Sequence, residues 1–135
     1  MKLHKFFFST GAISAGIAVI AGAFGAHMLE GALSADALDT YSTAVRYQMY
    51  HSLGLLAIAW ALTRWQSKYA RISGWLFIGG ILIFSGSLYI LSLTGISWFG
   101  AITPLGGLAF IVGWALLTLS AIRTNRPGED HSDNS

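Results

Sequence analysis

Six polar or ionisable side chains stand out because they lie in or beside long apolar runs. They are His27, Arg46, Gln48, His51, Ser85 and Tyr89. A polar group inside a lipid bilayer is costly to leave without a partner, so it normally faces the interior of a helix bundle. Imidazole exchanges protons near neutral pH, and amides and hydroxyls both donate and accept hydrogen bonds. These residues are therefore candidates for a site that binds a small solute, a quinone or an ion.

Helical spacing predicts that several of these side chains lie at a similar depth. At a rise of ~1.5 Å per residue, His51 lies ~20 Å from Arg64 and Ser85 lies ~21 Å from Arg71. The i,i+3 and i,i+4 spacings form a polar stripe on each of two helices, Tyr47, Gln48 and His51 on one and Ser85, Tyr89 and Ser92 on the other. We expect these stripes to line a polar pocket in the outer half of the bundle.

The same residues have a structural interpretation. Serine, glutamine and tyrosine often join membrane helices through hydrogen bonds worth ~0.6 kcal/mol each. Arg46 follows an acidic loop, which predicts a rim ion pair worth ~0 to 1 kcal/mol. The sequence leaves both interpretations of the cluster open.

No metal, cofactor or catalytic residue is predicted. His27 and His51 are displaced by roughly 10 Å along the bundle axis, too far apart to bind opposite faces of one haem. Neither has a third ligand nearby of the kind that zinc requires. Ser85 lacks the surroundings of a serine nucleophile. The chain has no cysteine, which excludes disulfides and thiol catalysis.

Four apolar runs must position these residues. They cover about residues 6–29, 44–63, 72–94 and 103–122, each near the ~20 residues that cross a bilayer as a helix. Hydrophobic residues make up 54% of the 135 residues and charged residues only 10%, against about 25% charged in soluble domains. We predict an all-α membrane protein with a single four-transmembrane-helix bundle at 1–122, and a polar, disordered cytoplasmic tail at 123–135.

The basic residues predict the orientation. Arg46 lies on one side, and seven basic residues lie on the other: Lys2, Lys5, Arg64, Lys68, Arg71, Arg123 and Arg126. By the positive-inside rule both termini are cytoplasmic, and the chain is a multi-pass protein of the cell inner (plasma) membrane. Its partner is the lipid bilayer and not a nucleic acid, because the basic residues cluster where lipid headgroups lie.

Local signals predict where helices begin and end. Ser34 predicts a helix cap. The helix that follows it either is short and lies on the outer surface or, as we expect, continues into the second span, since no Gly or Pro interrupts residues 35–52. Gly95 ends the third helix. Thr103 and Pro104 predict the start of the fourth.

Small residues at helical spacing predict close helix packing. They are Gly11, Ala15, Ala18, Gly22, Ala26, Gly106, Gly107 and Gly113. Those in the first run predict a homo-oligomer or a larger membrane complex, and packing within one chain is the alternative. Cleavage of a signal peptide near Ala23 is an alternative interpretation of the first run.

Five short blocks resemble a known family. They are GAFGAH at 22–27, AVRYQMYH at 44–51, FSGSLY at 84–89, TPLGG at 103–107 and GW at 113–114. In this order they resemble the small bacterial membrane proteins grouped as domain of unknown function 423, which has a transmembrane relative in animals. The resemblance covers about residues 8–122 and implies a four-helix inner-membrane protein with a retained first helix. It implies no activity.

Three hypotheses of function follow. The first is a structural or accessory membrane component. The second is small-solute, quinone or ion binding or transport through the outer-leaflet polar pocket. The third, an enzyme acting on a lipid or quinone, has no motif to support it, and we expect no enzymatic activity.

Overall fold

The fold is a bundle of four helices in a computed structural model that describes residues 1–123. Helix α1 covers Leu3–Leu29, α2 Ala35–Arg64, α3 Lys68–Thr94 and α4 Trp98–Arg123. The described residues contain no strand, so the predicted all-α class is confirmed. The predicted disordered tail lies, apart from Arg123, outside the described residues.

Three helices, α1, α3 and α4, are long and apolar enough to cross a membrane. Helix α2 has 30 residues, or ~45 Å at helical rise, which exceeds the ~30 Å hydrocarbon core. Its composition is more polar, and it carries three of the six candidate site residues, Arg46, Gln48 and His51. The helices are joined by short connections at 30–34, 65–67 and 95–97, and such connections make neighbouring helices antiparallel.

Helix α2 packs against α1 on one side and α3 on another, and α3 packs against α4. The half of the bundle near the 65–67 connection has an apolar core. Its buried members are Phe7, Leu55, Ile58, Ala59, Leu62, Ala70, Phe77 and Phe110. In the opposite half of the bundle, hydrogen-bonded polar side chains fill the interfaces of α2 with α1 and with α3 instead. The bundle therefore has an apolar half and a polar half.

Most predicted helix boundaries are confirmed. The Ser34 hydroxyl accepts a hydrogen bond from the Ala37 amide at 3.1 Å, and α2 continues without a break from Ala35. Gly95 has φ of 73° at the end of α3, a left-handed conformation that favours glycine.

The predicted start of the fourth helix at Thr103 is wrong. Helix α4 begins at Trp98, and Pro104 lies inside it. Thr103 does not cap the helix, since its hydroxyl bonds the carbonyl of Phe99 at 3.0 Å. Pro104 is the seventh residue of α4, so it removes one backbone hydrogen bond, the one to the carbonyl of Gly100, close to the beginning of the helix.

Two helices contain a wide turn with π-helical hydrogen bonding. It covers Gly25–Leu29 in α1 and Ile81–Ser85 in α3. Each such turn adds a residue and rotates the faces that follow it. At the second turn α4 comes very close, because a Cβ atom at Gly106 would collide with the backbone of Phe84. Glycine at 106 is therefore required by the packing of α4 on α3.

Candidate functional site

His51 lies in an aromatic cage between α2, α3 and α4. The side chain is only 4% exposed. Its ring stacks on Phe110 with centroids 3.4 Å apart and planes 9° apart, and the edge of Phe77 approaches with centroids at 5.0 Å. Trp114 Nε1 lies 3.0 Å from His51 Nε2, and the carbonyl of Tyr47 lies 2.7 Å from His51 Nδ1. Both ring nitrogens thus have a partner.

These two contacts assign the protonation state of His51. An indole N–H only donates, so Nε2 accepts the bond from Trp114, and a carbonyl only accepts, so Nδ1 carries the proton. The ring is therefore the neutral tautomer with hydrogen on Nδ1. A second proton on Nε2 would break the bond to Trp114. In this cage His51 has no nitrogen left over for a ligand.

Gln48 is the centre of a second polar cluster, which joins α1, α2 and α3. Its Nε2 donates to the carbonyl of Ser14 at 3.0 Å and lies 3.4 Å from the Ser14 hydroxyl. Its Oε1 accepts a 2.7 Å bond from the Tyr89 hydroxyl. The Ser52 hydroxyl donates to the backbone carbonyl of Gln48 at 2.6 Å and to the Ser14 hydroxyl at 2.7 Å. We call Ser14, Gln48, Ser52 and Tyr89 the glutamine network.

The donors and acceptors of the glutamine network can be assigned. The Ser52 hydroxyl is the donor to both of its partners, the backbone carbonyl of Gln48 and the Ser14 hydroxyl, so its single proton is shared between them. Tyr89 donates to the side-chain oxygen of Gln48, and the side-chain amide of Gln48 donates to Ser14. Each of the four side chains therefore has hydrogen-bond partners inside the bundle.

Two further bonds extend this connection towards the 30–34 end. The Tyr41 hydroxyl donates to the carbonyl of Ala21 in α1 at 2.7 Å, and its ring meets that of Tyr89 edge to face with centroids 5.3 Å apart. The Ser85 hydroxyl donates to the carbonyl of Ala44 at 2.8 Å. Among the described residues, no buried side-chain nitrogen or oxygen is without a hydrogen-bond partner.

The structure divides the predicted site residues among separate places. Gln48 and Tyr89 meet, as the polar stripes predict. His51 and Ser85 do not, because His51 faces α4 and Ser85 bonds the backbone at Ala44. Their predicted equal depth is wrong. The predicted depths are measured from Arg64 in α2 and from Arg71 in α3, on the assumption that these two residues lie level. Helix α3 begins earlier, at Lys68, so Ser85 lies about one turn further along the bundle than predicted.

Arg46 and His27 lie outside both clusters. His27 is exposed in the first π turn. Arg46 is exposed, and its Nη2 donates to the Thr43 hydroxyl of its own helix at 3.1 Å. The predicted rim ion pair is absent from the described part of the chain. Arg46 and Glu30 do line one open groove of about 390 Å³ between α1 and α2.

Of the predicted packing residues, some are buried between helices and others are not. Gly11 is buried where α1 meets α2, since a Cβ atom there would lie 2.7 Å from the carbonyl of Ser52. Ala18 is buried too, whereas Ala15 and Gly22 are half-buried and Ala26 is exposed. Gly113 in α4 accommodates the ring of Phe77, while Gly107 has more space.

Sequence reasoning missed four side chains that complete the two clusters: Ser14, Ser52, Phe110 and Trp114. Ser52 lies four residues after Gln48, on the same face of α2, and this spacing could have identified it. Ser14 lies level with Gln48 when α1 and α2 are folded back about the 30–34 connection. No local signal indicates that Phe110 and Trp114 surround His51. Among residues 1–123 no group of three His, Cys, Asp or Glu side chains could hold a metal ion.

The bundle and its internal polar bonds define an integral helical membrane protein. The profile of the protein family of unknown function DUF423 matches residues 21–107, and the chain belongs to this family. The membrane protein YwdK of Bacillus subtilis is 48% identical over 120 residues, which cover 88% of this chain and 98% of YwdK. The inner membrane protein YgdD of Escherichia coli K12 is 38% identical over 133 residues, which cover 94% of this chain and 97% of YgdD.

A Staphylococcus saprophyticus membrane protein of the same family, SSP2132, is 51% identical over 119 residues, covering 88% of this chain and 98% of that protein. No solved structure matches the chain significantly. The predicted family and the predicted localisation as a multi-pass inner-membrane protein are both confirmed.

Proposed function

We propose that this protein is a structural or accessory component of the inner membrane, whose polar interior holds its helices together. The supporting observation is that each side chain of the glutamine network has hydrogen-bond partners within the protein, on another helix or on its own backbone. His51 supports the same conclusion, because both of its nitrogens are occupied by the protein. A site built for a substrate would leave some of these donors or acceptors free.

The proposal includes four membrane spans with both termini in the cytoplasm. Helix α2 is long enough to cross, and its polar side chains at Gln48 and Ser52 are buried against α1 and α3. A membrane helix tolerates such groups when they face the bundle interior. The excess of lysine and arginine at one end supports the orientation.

The topology is tested with single cysteines, since the chain has no native cysteine. Cysteines at Ala32, Gln66, Ser97 and Ser132 are probed on intact cells with a thiol reagent that does not cross the membrane. We expect labelling at positions 32 and 97 and none at 66 and 132 until the cells are opened. The reverse pattern would contradict the proposed orientation, and labelling of both 32 and 66 would contradict the four-span arrangement.

The structural role is tested by making the glutamine network apolar. Replacing both partners of a buried hydrogen bond with apolar groups of similar shape can be nearly neutral, so Ser14→Ala, Gln48→Met, Ser52→Ala and Tyr89→Phe are combined in one variant. Parent and variant are purified in mild detergent, and native mass spectrometry identifies the molecules bound to each. We expect the same bound molecules on both. A stoichiometric compound on the parent that is missing from the folded variant would refute the structural role.

One observation favours the alternative of quinone or small-solute binding. A cleft of about 310 Å³ between α1 and α3 reaches Ser14 and Gln48 from the lipid-facing surface. Thermal unfolding with a soluble short-chain quinone tests it. A rise in the unfolding midpoint of the parent that is absent from the apolar variant would favour binding over a structural role.

A further inference from the structure

Besides the groove at Arg46 and the cleft at Ser14, a cavity lies at the end of the bundle opposite to Arg46. It has a volume of about 370 Å³ and is formed where the start of α1, the end of α2 and the start of α3 meet. Its lining residues are Lys2, Leu3, His4, Leu62, Gln66 and Arg71. The cavity thus combines basic side chains and an amide with two leucines.

Within residues 1–123, no acidic side chain at this end balances the basic residues of the cavity. The acidic residues within 1–123 are Glu30, Asp36 and Asp39, and all of them lie at or near the 30–34 connection. Lys2 and Arg71 are exposed and have no acidic neighbour at their own end among the described residues. The partial positive charges at the N-termini of α1 and α3 are offset by the C-termini of α2 and α4 at the same end, so the basic side chains set the sign of the charge. The cavity therefore attracts anions.

Aromatic rings lie one helical turn below the two basic side chains. Arg71 precedes Trp75 by four residues on the same face of α3, and Lys2 is the residue before α1, whose first turns include Phe6. The rings of Phe6 and Trp75 are in contact, with centroids 5.4 Å apart. Trp75 is 53% exposed, as expected for a tryptophan at the boundary between headgroups and acyl chains.

We propose that this cavity binds the headgroup of an anionic phospholipid. Lys2 and Arg71 would contact the phosphate, and the glycerol and upper acyl chain would lie along Leu3, Phe6 and Trp75. Basic cavities between membrane helices on the cytoplasmic side are suited to such headgroups. The apolar lining distinguishes the cavity from a site for a free anion. This inference goes beyond the structural role, and it rests on the proposed orientation, in which this end of the bundle faces the cytoplasm.

The test compares phosphatidylglycerol with phosphatidylcholine of identical acyl chains, added to the purified full chain in mild detergent. Native mass spectrometry measures the affinity for each lipid. The test variant is Lys2→Gln with Arg71→Gln. The matched control is Arg64→Gln with Arg123→Gln, which removes the same charge from exposed residues outside the cavity lining. Helicity and the unfolding midpoint in phosphatidylcholine confirm that both variants fold.

We expect the parent and the control to prefer phosphatidylglycerol and the test variant to bind it about thirtyfold more weakly, from the effect of two basic residues near a membrane surface. Equal losses in test variant and control would show a diffuse charge effect and overturn the site. Unchanged binding in the test variant would also overturn it. Inorganic phosphate that stabilised the parent as much as the lipid would show a simple anion site instead.

Discussion

The apolar half and the polar half of the bundle solve the same packing problem with different chemistry. In the apolar half, Phe77 packs against Gly54 and Gly113 on two other helices. In the polar half, Gln48 bonds α1 and α3 through directed hydrogen bonds. Ring packing depends on shape, while the glutamine network depends on donors and acceptors being matched. The two halves should therefore fail differently when they are mutated.

Phe77→Ala should have the largest effect. The ring is fully buried and contacts His51, Phe110 and Trp114, and truncation of such a residue costs about 3–5 kcal/mol. Unfolding by sodium dodecyl sulfate in mixed micelles measures the loss. Leu82→Ala is the control, since Leu82 is 70% exposed. Equal losses for both variants would show that the described core does not hold the bundle together.

Gln48→Leu should cost about 1–3 kcal/mol, because it leaves the Tyr89 hydroxyl without its acceptor and removes the bond from Gln48 to the carbonyl of Ser14. Adding Tyr89→Phe to this variant should recover part of the loss, which no change in the apolar half would do. Gln66→Leu is the matched control, since Gln66 is exposed and bonds only the carbonyl of Leu62. Strict additivity in this double-mutant cycle would contradict the network.

Trp114→Phe should cost about 0.5–1.5 kcal/mol, since it keeps the aromatic ring and removes the N–H that binds His51. Trp98→Phe is the control, because Trp98 is 64% exposed. Nitrogen-15 NMR of labelled histidine tests the same bond directly. We expect one histidine as the neutral tautomer with hydrogen on Nδ1, and Trp114→Phe should shift its Nε2 resonance. A resonance unaffected by this substitution would exclude the cage geometry.

Arg46→Gln should have the smallest effect, within about 0.5 kcal/mol, because exposed substitutions away from special features change stability little. Mixed-micelle unfolding at low and high salt measures it. A salt-dependent loss well above that value would mean that Arg46 forms an ion pair in the membrane.

Much of the fold was predictable because it depends on local signals. Length and hydrophobicity located the four helices, since a bilayer-spanning segment must be long and apolar. Ser34 and Gly95 located two of their ends. The predicted start of α4 was wrong because Pro104, although proline is favoured in a first turn, lies further inside a helix that begins at Trp98.

The site was predictable only in part, for a geometric reason. The sequence by itself predicted that Gln48 and Tyr89 face the bundle interior, because a polar side chain in a membrane helix normally faces the interior of the bundle. Only the tertiary structure decided which helix each one faces. Gln48 and His51 are three residues apart, yet one bonds α1 and α3 and the other bonds α4. Helix register and the π turn at Ile81–Ser85 set these pairings, and both arise from contacts between residues distant in the sequence.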